Sequence, residues 1–148
     1  MHVNDARKDD VLRSTLGRLE SSDPGSRALA ADDLSDYFRC RAGSDDAVAR
    51  AVARLVEVAV ADDEEVVREA TLHACGEAIS YYELPLALFL PLVPLMPDLS
   101  AELIGYVLGI LGSTHDSAAR PLIAPYMNHA DSSVRKEAAE ALVELAGR

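Results

Sequence analysis

An all-α chain of about four repeated helical hairpins, an α-solenoid, is the fold this sequence predicts. Three observations predict it. No extended period-2 alternation bounded by a hairpin turn occurs in the 148 residues. Apolar residues recur instead at helical spacing. A short pattern also returns at intervals long enough for a two-helix hairpin: an acid, an arginine four residues later, then small or apolar residues at plus three and plus seven.

The elements follow in order. The first repeat, roughly residues 5–40, opens with a helix near Asp5–Ser21. It continues through Asp23-Pro-Gly-Ser-Arg-Ala-Leu-Ala-Ala-Asp-Asp-Leu, with Arg27 four after Asp23 and Ala30 and Leu34 at the core offsets. The second, 44–80, pairs a helix near Ser44–Ala61 with the segment around Arg68, where Thr71 and Cys75 take those offsets. The third, 83–113, pairs a helix near Glu83–Met96 with a degenerate copy centred on Glu102, after a turn at Pro97-Asp98. Asp98 lies four before Glu102, and Gly105 and Gly109 hold the small positions. The fourth, 117–146, begins with a helix near Ser117–His129. Its second helix has Asp131 as N-cap, Arg135 as anchor, and Val134, Ala138, Leu142 and Leu145 on one face. Successive anchors are 41, 34 and 33 residues apart. A hairpin of two amphipathic helices cannot bury its apolar face alone, so the repeats are expected to stack into one domain over residues 1–148.

The motifs Asp-Pro-x-x-Arg-x-x-Ala-x-x-x-Leu and Asp-x-x-Val-Arg-x-x-Ala-x-x-x-Leu resemble the second helix of HEAT repeats. The resemblance covers essentially the whole chain, is good in repeats one, two and four, and is poor in repeat three, where Glu102 replaces the arginine. It implies that Arg27, Arg68 and Arg135 are structural anchors tying repeats together through an acid or a loop carbonyl. It further implies that the second helices line a concave surface of the kind that binds other macromolecules.

Positions opposite the core, at plus two, five and nine from each anchor, are the expected exposed stripe. They are Leu29, Asp32 and Asp36 with Asp33 beside them, then Ala70, His73 and Glu77, then Ile104, Val107 and Leu111, and last Glu137, Glu140 and Glu144. An acidic stripe at each end then brackets an apolar middle, the pattern of an interface with an apolar core and polar rim. The apolar third repeat is a candidate docking or self-association surface, and Gly105-x-x-x-Gly109-x-x-Gly112 would admit another helix closely. A solvated acidic face and an internally covered third helix are the plainer alternatives.

Composition narrows the function. Fourteen Lys and Arg against 25 Asp and Glu give a net charge of −11, which argues against a nucleic-acid binder. Residues 69–119 contain no Lys or Arg, which argues against the basic groove of HEAT-like DNA glycosylases. The charged N-terminus lacks the apolar stretch of a secretory signal. The longest uncharged run, Leu84–Pro97, has only 14 residues and is broken by prolines, so no membrane span is expected and the cytoplasm is the default. Twelve Arg against two Lys fits a GC-rich bacterial genome.

Chemistry is sparse. His73 and Glu77 share a helical face, but a metal site needs a third ligand, and none is assigned. His115 and His129 read as turn or helix-start residues, and His2 stands near the N-terminus. No nucleophile elbow, P-loop or dinucleotide fingerprint is present. Cys75 falls at a core offset, while Cys40 lies between Arg39 and Arg41. Tyr81-Tyr82 marks the junction of repeats two and three. The expected function is therefore non-enzymatic, without metal or cofactor: an interaction module whose acidic, partly apolar face binds another protein, a basic one, as a toxin-neutralising immunity protein would. The alternative is a HEAT-like accessory subunit or lyase-type enzyme of the kind that handles bilins or another small ligand.

Overall fold

A computed structural model describes residues 3–147, with backbone alone for residues 3–5. The described residues are helical throughout, with no strand. No helix among them is long and apolar enough to cross a membrane. Contacts divide the chain into two compact units, Met1–Tyr82 and Glu83–Arg148, and the boundary falls between the second and third expected repeats.

The first unit holds four α-helices: α1 (Val3–Arg18), α2 (Pro24–Arg39), α3 (Asp45–Ala61) and α4 (Glu65–Tyr81). Asp23 caps α2 by accepting the Ser26 amide at 2.9 Å, with Pro24 in the first turn where no amide hydrogen is needed. Ser44 caps α3 by accepting the Ala47 amide. Helix α2 packs most extensively on α4, and the buried residues there include Ala28, Ala30 and Ala31 on α2 and Ala70, Ala74 and Ala78 on α4. Small side chains let the two backbones approach closely, while Phe38, Leu34, Leu55 and Leu72 supply the bulk of the core. The buried hydroxyls return to their own helices: Thr15 donates to the Val11 carbonyl, Ser35 to Ala31 and Thr71 to Val67.

The second unit is less regular in its first segments. The helix expected over Glu83–Met96 is instead a pair of 3-10 segments, Leu86–Leu88 and Leu90–Asp98. Pro91, Pro94 and Pro97 explain the difference. Each lacks an amide hydrogen and would crowd an α-helical turn, whereas a three-residue period lines all three up on one exposed side and leaves Leu92 and Met96 buried. The helix expected over Ser117–His129 is likewise broken, into 3-10 segments Ser117–Ala119 and Ala124–Asn128 around the single α-turn α6 (Arg120–Ile123), with Pro121 and Pro125 in it. Against these lie two full helices, α5 (Ala101–Ser113) and α7 (Ser132–Ala146). Ser100 caps α5 and Asp131 caps α7, the latter accepting the Ser133 amide at 2.7 Å.

The α5–α7 contact is set by glycine. A Cβ on Gly112 would lie 2.7 Å from the Ala141 carbonyl oxygen and 2.9 Å from its Cα, so only glycine permits this approach. Gly105 faces the Glu137 side chain, whereas Gly109 is exposed with nothing within 4 Å of its missing Cβ.

Candidate functional site

Caps give the expected repeat a measurable register. Arg27, Arg68 and Arg135 each stand four residues after the N-cap of their helix, Asp23, Glu64 and Asp131. All three guanidiniums donate to carbonyls that end the preceding segment of their own expected hairpin, so these bonds close a hairpin rather than join it to the next. Arg27 reaches Ser21 at 2.9 Å, Arg68 reaches Ala59 at 3.1 Å, and Arg135 reaches His129 at 2.8 Å and Ala130 at 3.0 Å. These are carbonyls that a terminating helix or turn leaves unsatisfied. Arg27 also forks onto Asp62, the residue closing α3, at 2.8 and 3.3 Å. The pair is mostly buried, with 16% and 9% of the two side chains exposed. The Asp62 hydrogen bond holds the Arg27 guanidinium above its ordinary range. Burial pushes the Asp62 carboxyl upward, but donors from Arg27 and the Glu64 amide and the nearby positive charges outweigh it and hold it below the usual range.

The same register corrects the third repeat. Helix α5 is capped by Ser100, not Asp98, which belongs to the 3-10 segment before it. Four residues after the cap stands Ile104, so the anchor is Ile104 rather than Glu102, two positions further on. Val107 and Leu111 then occupy the core offsets, not the exposed ones. Ile104, Val107 and Leu111 are accordingly buried, at 2%, 0% and 0% exposure, and offer no surface to a partner. A docking or self-association surface built on that apolar stripe of repeat three is therefore withdrawn, and Gly105 and Gly112 are already taken up by α7. Of the positions that the corrected register sets opposite the core, Gly109 is exposed and Tyr106 and Ser113 are half-buried; Glu102 accepts a hydrogen bond from the Tyr106 hydroxyl at 3.1 Å.

In the first unit the predicted stripe is largely at the surface. Leu29, Asp32 and Asp36 on α2 are exposed, as is His73 on α4, while Ala70 is buried and Glu77 is partly covered. The acids are not bare. Asp33 pairs with Arg18 of α1 at 2.7 Å, and Asp36 pairs with Arg39 one turn on. Arg39 also lies 3.9 Å from Glu77, which stands 3.7 Å from His73. Asp36, Arg39, Glu77 and His73 thus form one chain of polar side chains joining α2 and α4. Val66, four residues before Ala70 on the same side of α4, is 51% exposed, and Leu29 is 56% exposed. Leu29 precedes Asp32, Asp33 and Asp36 on α2, and Val66 precedes Glu77 on α4.

In the second unit Glu137, Glu140 and Glu144 lie on α7 as expected. Glu137 is partly covered beside Gly105, Glu140 lies 4.0 Å from Lys136, and Glu144 meets the His115 Nε2 at 2.8 Å. His115 reaches Glu144 because its backbone, at φ 54°, turns left-handed directly after α5. Sequence reasoning missed Arg18, Arg39, Asp62 and the His115–Glu144 pair, since each depends on which helices pack together. His129 acts as a turn residue, its Nδ1 accepting the Asp131 amide at 3.0 Å. His2 lies outside the described residues.

Other candidates resolve individually. Cys75 is buried and its thiol is pushed up to about 12 by burial, while Cys40 is exposed. The Tyr82 hydroxyl donates to the Gly43 carbonyl at 3.2 Å, and the Arg41 guanidinium sits 5.4 Å over the Tyr81 ring. Among the described residues no three His, Cys, Asp or Glu side chains are arranged to hold a metal ion. Two open grooves flank α1. The larger, about 480 Å³, runs between α1 and α2 over Val11, Thr15, Leu34 and Tyr37, and the Arg18–Asp33 pair lines it.

No protein-family model and no curated protein matches this chain. Among solved structures it is similar to the crystal structure of an engineered protein, a Northeast Structural Genomics Consortium target, at 19% identity with a TM-score of 0.66. The match covers 91% of this chain and 62% of the engineered one. At that identity the likeness speaks to the helical fold alone.

Proposed function

We propose that the chain is a HEAT-like α-solenoid of four hairpins that acts as a non-enzymatic binding module. It takes a basic protein partner on the exposed side of α2 and α4. The observation that carries the reading is the α2–α4 surface itself: exposed Leu29 and Val66 beside the acidic run Asp32, Asp33, Asp36 and Glu77. The shared anchor register, with three arginines closing the segment before their own helix, supports the repeat assignment. The acids outnumber the cations that face them, Arg18 and Arg39. That excess, with a net charge of −11, favours a positive partner and a fast, salt-sensitive encounter. A toxin-neutralising immunity role is one form this binding would take.

The test is affinity capture from source-cell lysate at low salt, with wild type and Asp32→Lys/Leu29→Ala in parallel. Asp32 is exposed on α2, so the variant is expected to fold. One basic protein held by wild type, lost or bound several-fold more slowly by the variant, supports the reading. The same protein captured with unchanged association kinetics by the variant overturns it.

A further inference from the structure

Counted from the fourth residue after each cap, positions one, four, eight and eleven form one side of a second helix. On α2 they are Ala28, Ala31, Ser35 and Phe38, all buried, and α2 packs on α4. On α5 the first and third are Gly105 and Gly112, the glycines fitted against α7. On α7 the same positions are Lys136, Ala139, Val143 and Ala146. Here the side is open: Val143 is 74% exposed, the most of any large apolar side chain among the described residues, and Lys136 and Ala146 are exposed with it. No later helix covers it among the described residues.

We propose that this side of α7 binds a second copy of the chain, α7 against α7 about a twofold axis. The order of charges selects that occupant. Lys136 stands in the second turn of α7 and Glu140 one turn later, 4.0 Å apart. An antiparallel pair brings Lys136 of each copy toward Glu140 of the other and opposes the helix dipoles, whereas a parallel pair sets like charges side by side. Addition of α7 to α2 of another copy is disfavoured by the residue it would cover. At the sixth position, where α4, α5 and α7 bury Ala74, Ile110 and Ala141, α2 carries Asp33 tied to Arg18. Covering that half-exposed ion pair costs desolvation that nothing on α7 offsets. The closed twofold pair leaves it in water. The apolar patch is small, so the pair is a reversible one, with dissociation on the order of 10–100 µM.

The test is sedimentation velocity on the full chain from roughly 5 to 500 µM. Wild type should rise from 15.9 kDa toward twice that mass. Val143→Arg should stay at one chain mass with an unchanged circular dichroism spectrum, since the side chain it replaces is exposed. Lys136→Glu should weaken the rise, and Lys136→Glu with Glu140→Lys should restore it. A single chain mass for wild type at the highest concentration overturns the proposal. So does a rise that survives Val143→Arg, or one abolished by Leu29→Arg instead, which would place the contact on α2.

Discussion

Three glycines on α5 have the same chemistry and different surroundings, and alanine at each should give different results. At Gly109 the new methyl meets nothing within 4 Å, so the substitution only removes backbone freedom from the unfolded chain. That should stabilise by about 0.5–1 kcal/mol. At Gly112 the methyl would sit 2.7 Å from the Ala141 carbonyl oxygen and 2.9 Å from its Cα. Both are backbone atoms, so no rotamer change relieves the clash and α5 must move away from α7. Overpacking of this kind costs about 1–3 kcal/mol, which exceeds the propensity gain and leaves a net loss of about 1–2 kcal/mol. At Gly105 the nearest atom is Cγ of Glu137 at 3.2 Å, a flexible side chain that can yield, so the two effects should nearly cancel.

Urea or thermal unfolding followed by far-ultraviolet circular dichroism reads all three. The expected order of stability is Gly109→Ala above wild type, Gly105→Ala near it and Gly112→Ala below. The first and last should be separated by several degrees in Tm, at about 2–4 °C per kcal/mol. Gly112→Ala as stable as Gly109→Ala would refute the α5–α7 register, and with it the cap-counted assignment of Ile104 as anchor.

Two further expectations rest on buried groups. Asp62→Asn should cost about 1 kcal/mol at neutral pH, the worth of a charge-assisted pair that keeps some access to water. Because the Asp62 carboxyl is held below its ordinary range in the folded chain, its contribution is complete above that range and fades as pH falls through the folded value. The stability gap between wild type and Asp62→Asn, measured by urea titration, should thus be constant above about pH 5 and narrow below about pH 4; a gap that widens on acidification contradicts the pairing. For the thiols, burial holds Cys75 near 12, so a chromogenic disulfide reagent at pH 8 should titrate one thiol, Cys40, in the native chain and both in denaturant. Rapid native labelling of Cys75 would show that its site is open.

Local chemistry was legible; partners across the fold were not. Asp131 announces a helix start just before an apolar periodicity and caps α7 as the spacing predicts; Asp23, read only as the acid four before Arg27, caps α2 in the same way. The third repeat misled because Asp98, four before Glu102, imitates the acid of the other repeats. Yet Pro97 removes an amide just before it, and the chain completes its 3-10 segment before Ser100 opens α5. The usable signal was Ser100 itself, the first capping residue after the proline run. The 3-10 run Leu90–Asp98 was misread as an α-helix, although its prolines are spaced by three, a period that fits no α-helix. By contrast, Arg18–Asp33 and His115–Glu144 join residues 15 and 29 apart. No local spacing encodes which helices bring them together.

Those ion pairs change how an acidic surface works. Of the acidic run Asp32, Asp33, Asp36 and Glu77, three carboxylates already face a cation, so there a partner's arginine would have to displace Arg18 or Arg39 to gain a close pair. Such an exchange is nearly neutral in free energy for exposed groups. What remains is the long-range field of eleven excess negative charges, which acts on the rate of encounter. The exposed apolar side chains Leu29 and Val66 can bury area only once contact is made. The two should therefore separate kinetically in the proposed complex. Asp32→Lys should slow association and flatten its salt dependence, while Leu29→Ala should mainly speed dissociation. Both variants acting on dissociation alone would mean that the acids make direct contacts and the existing pairs have reorganised.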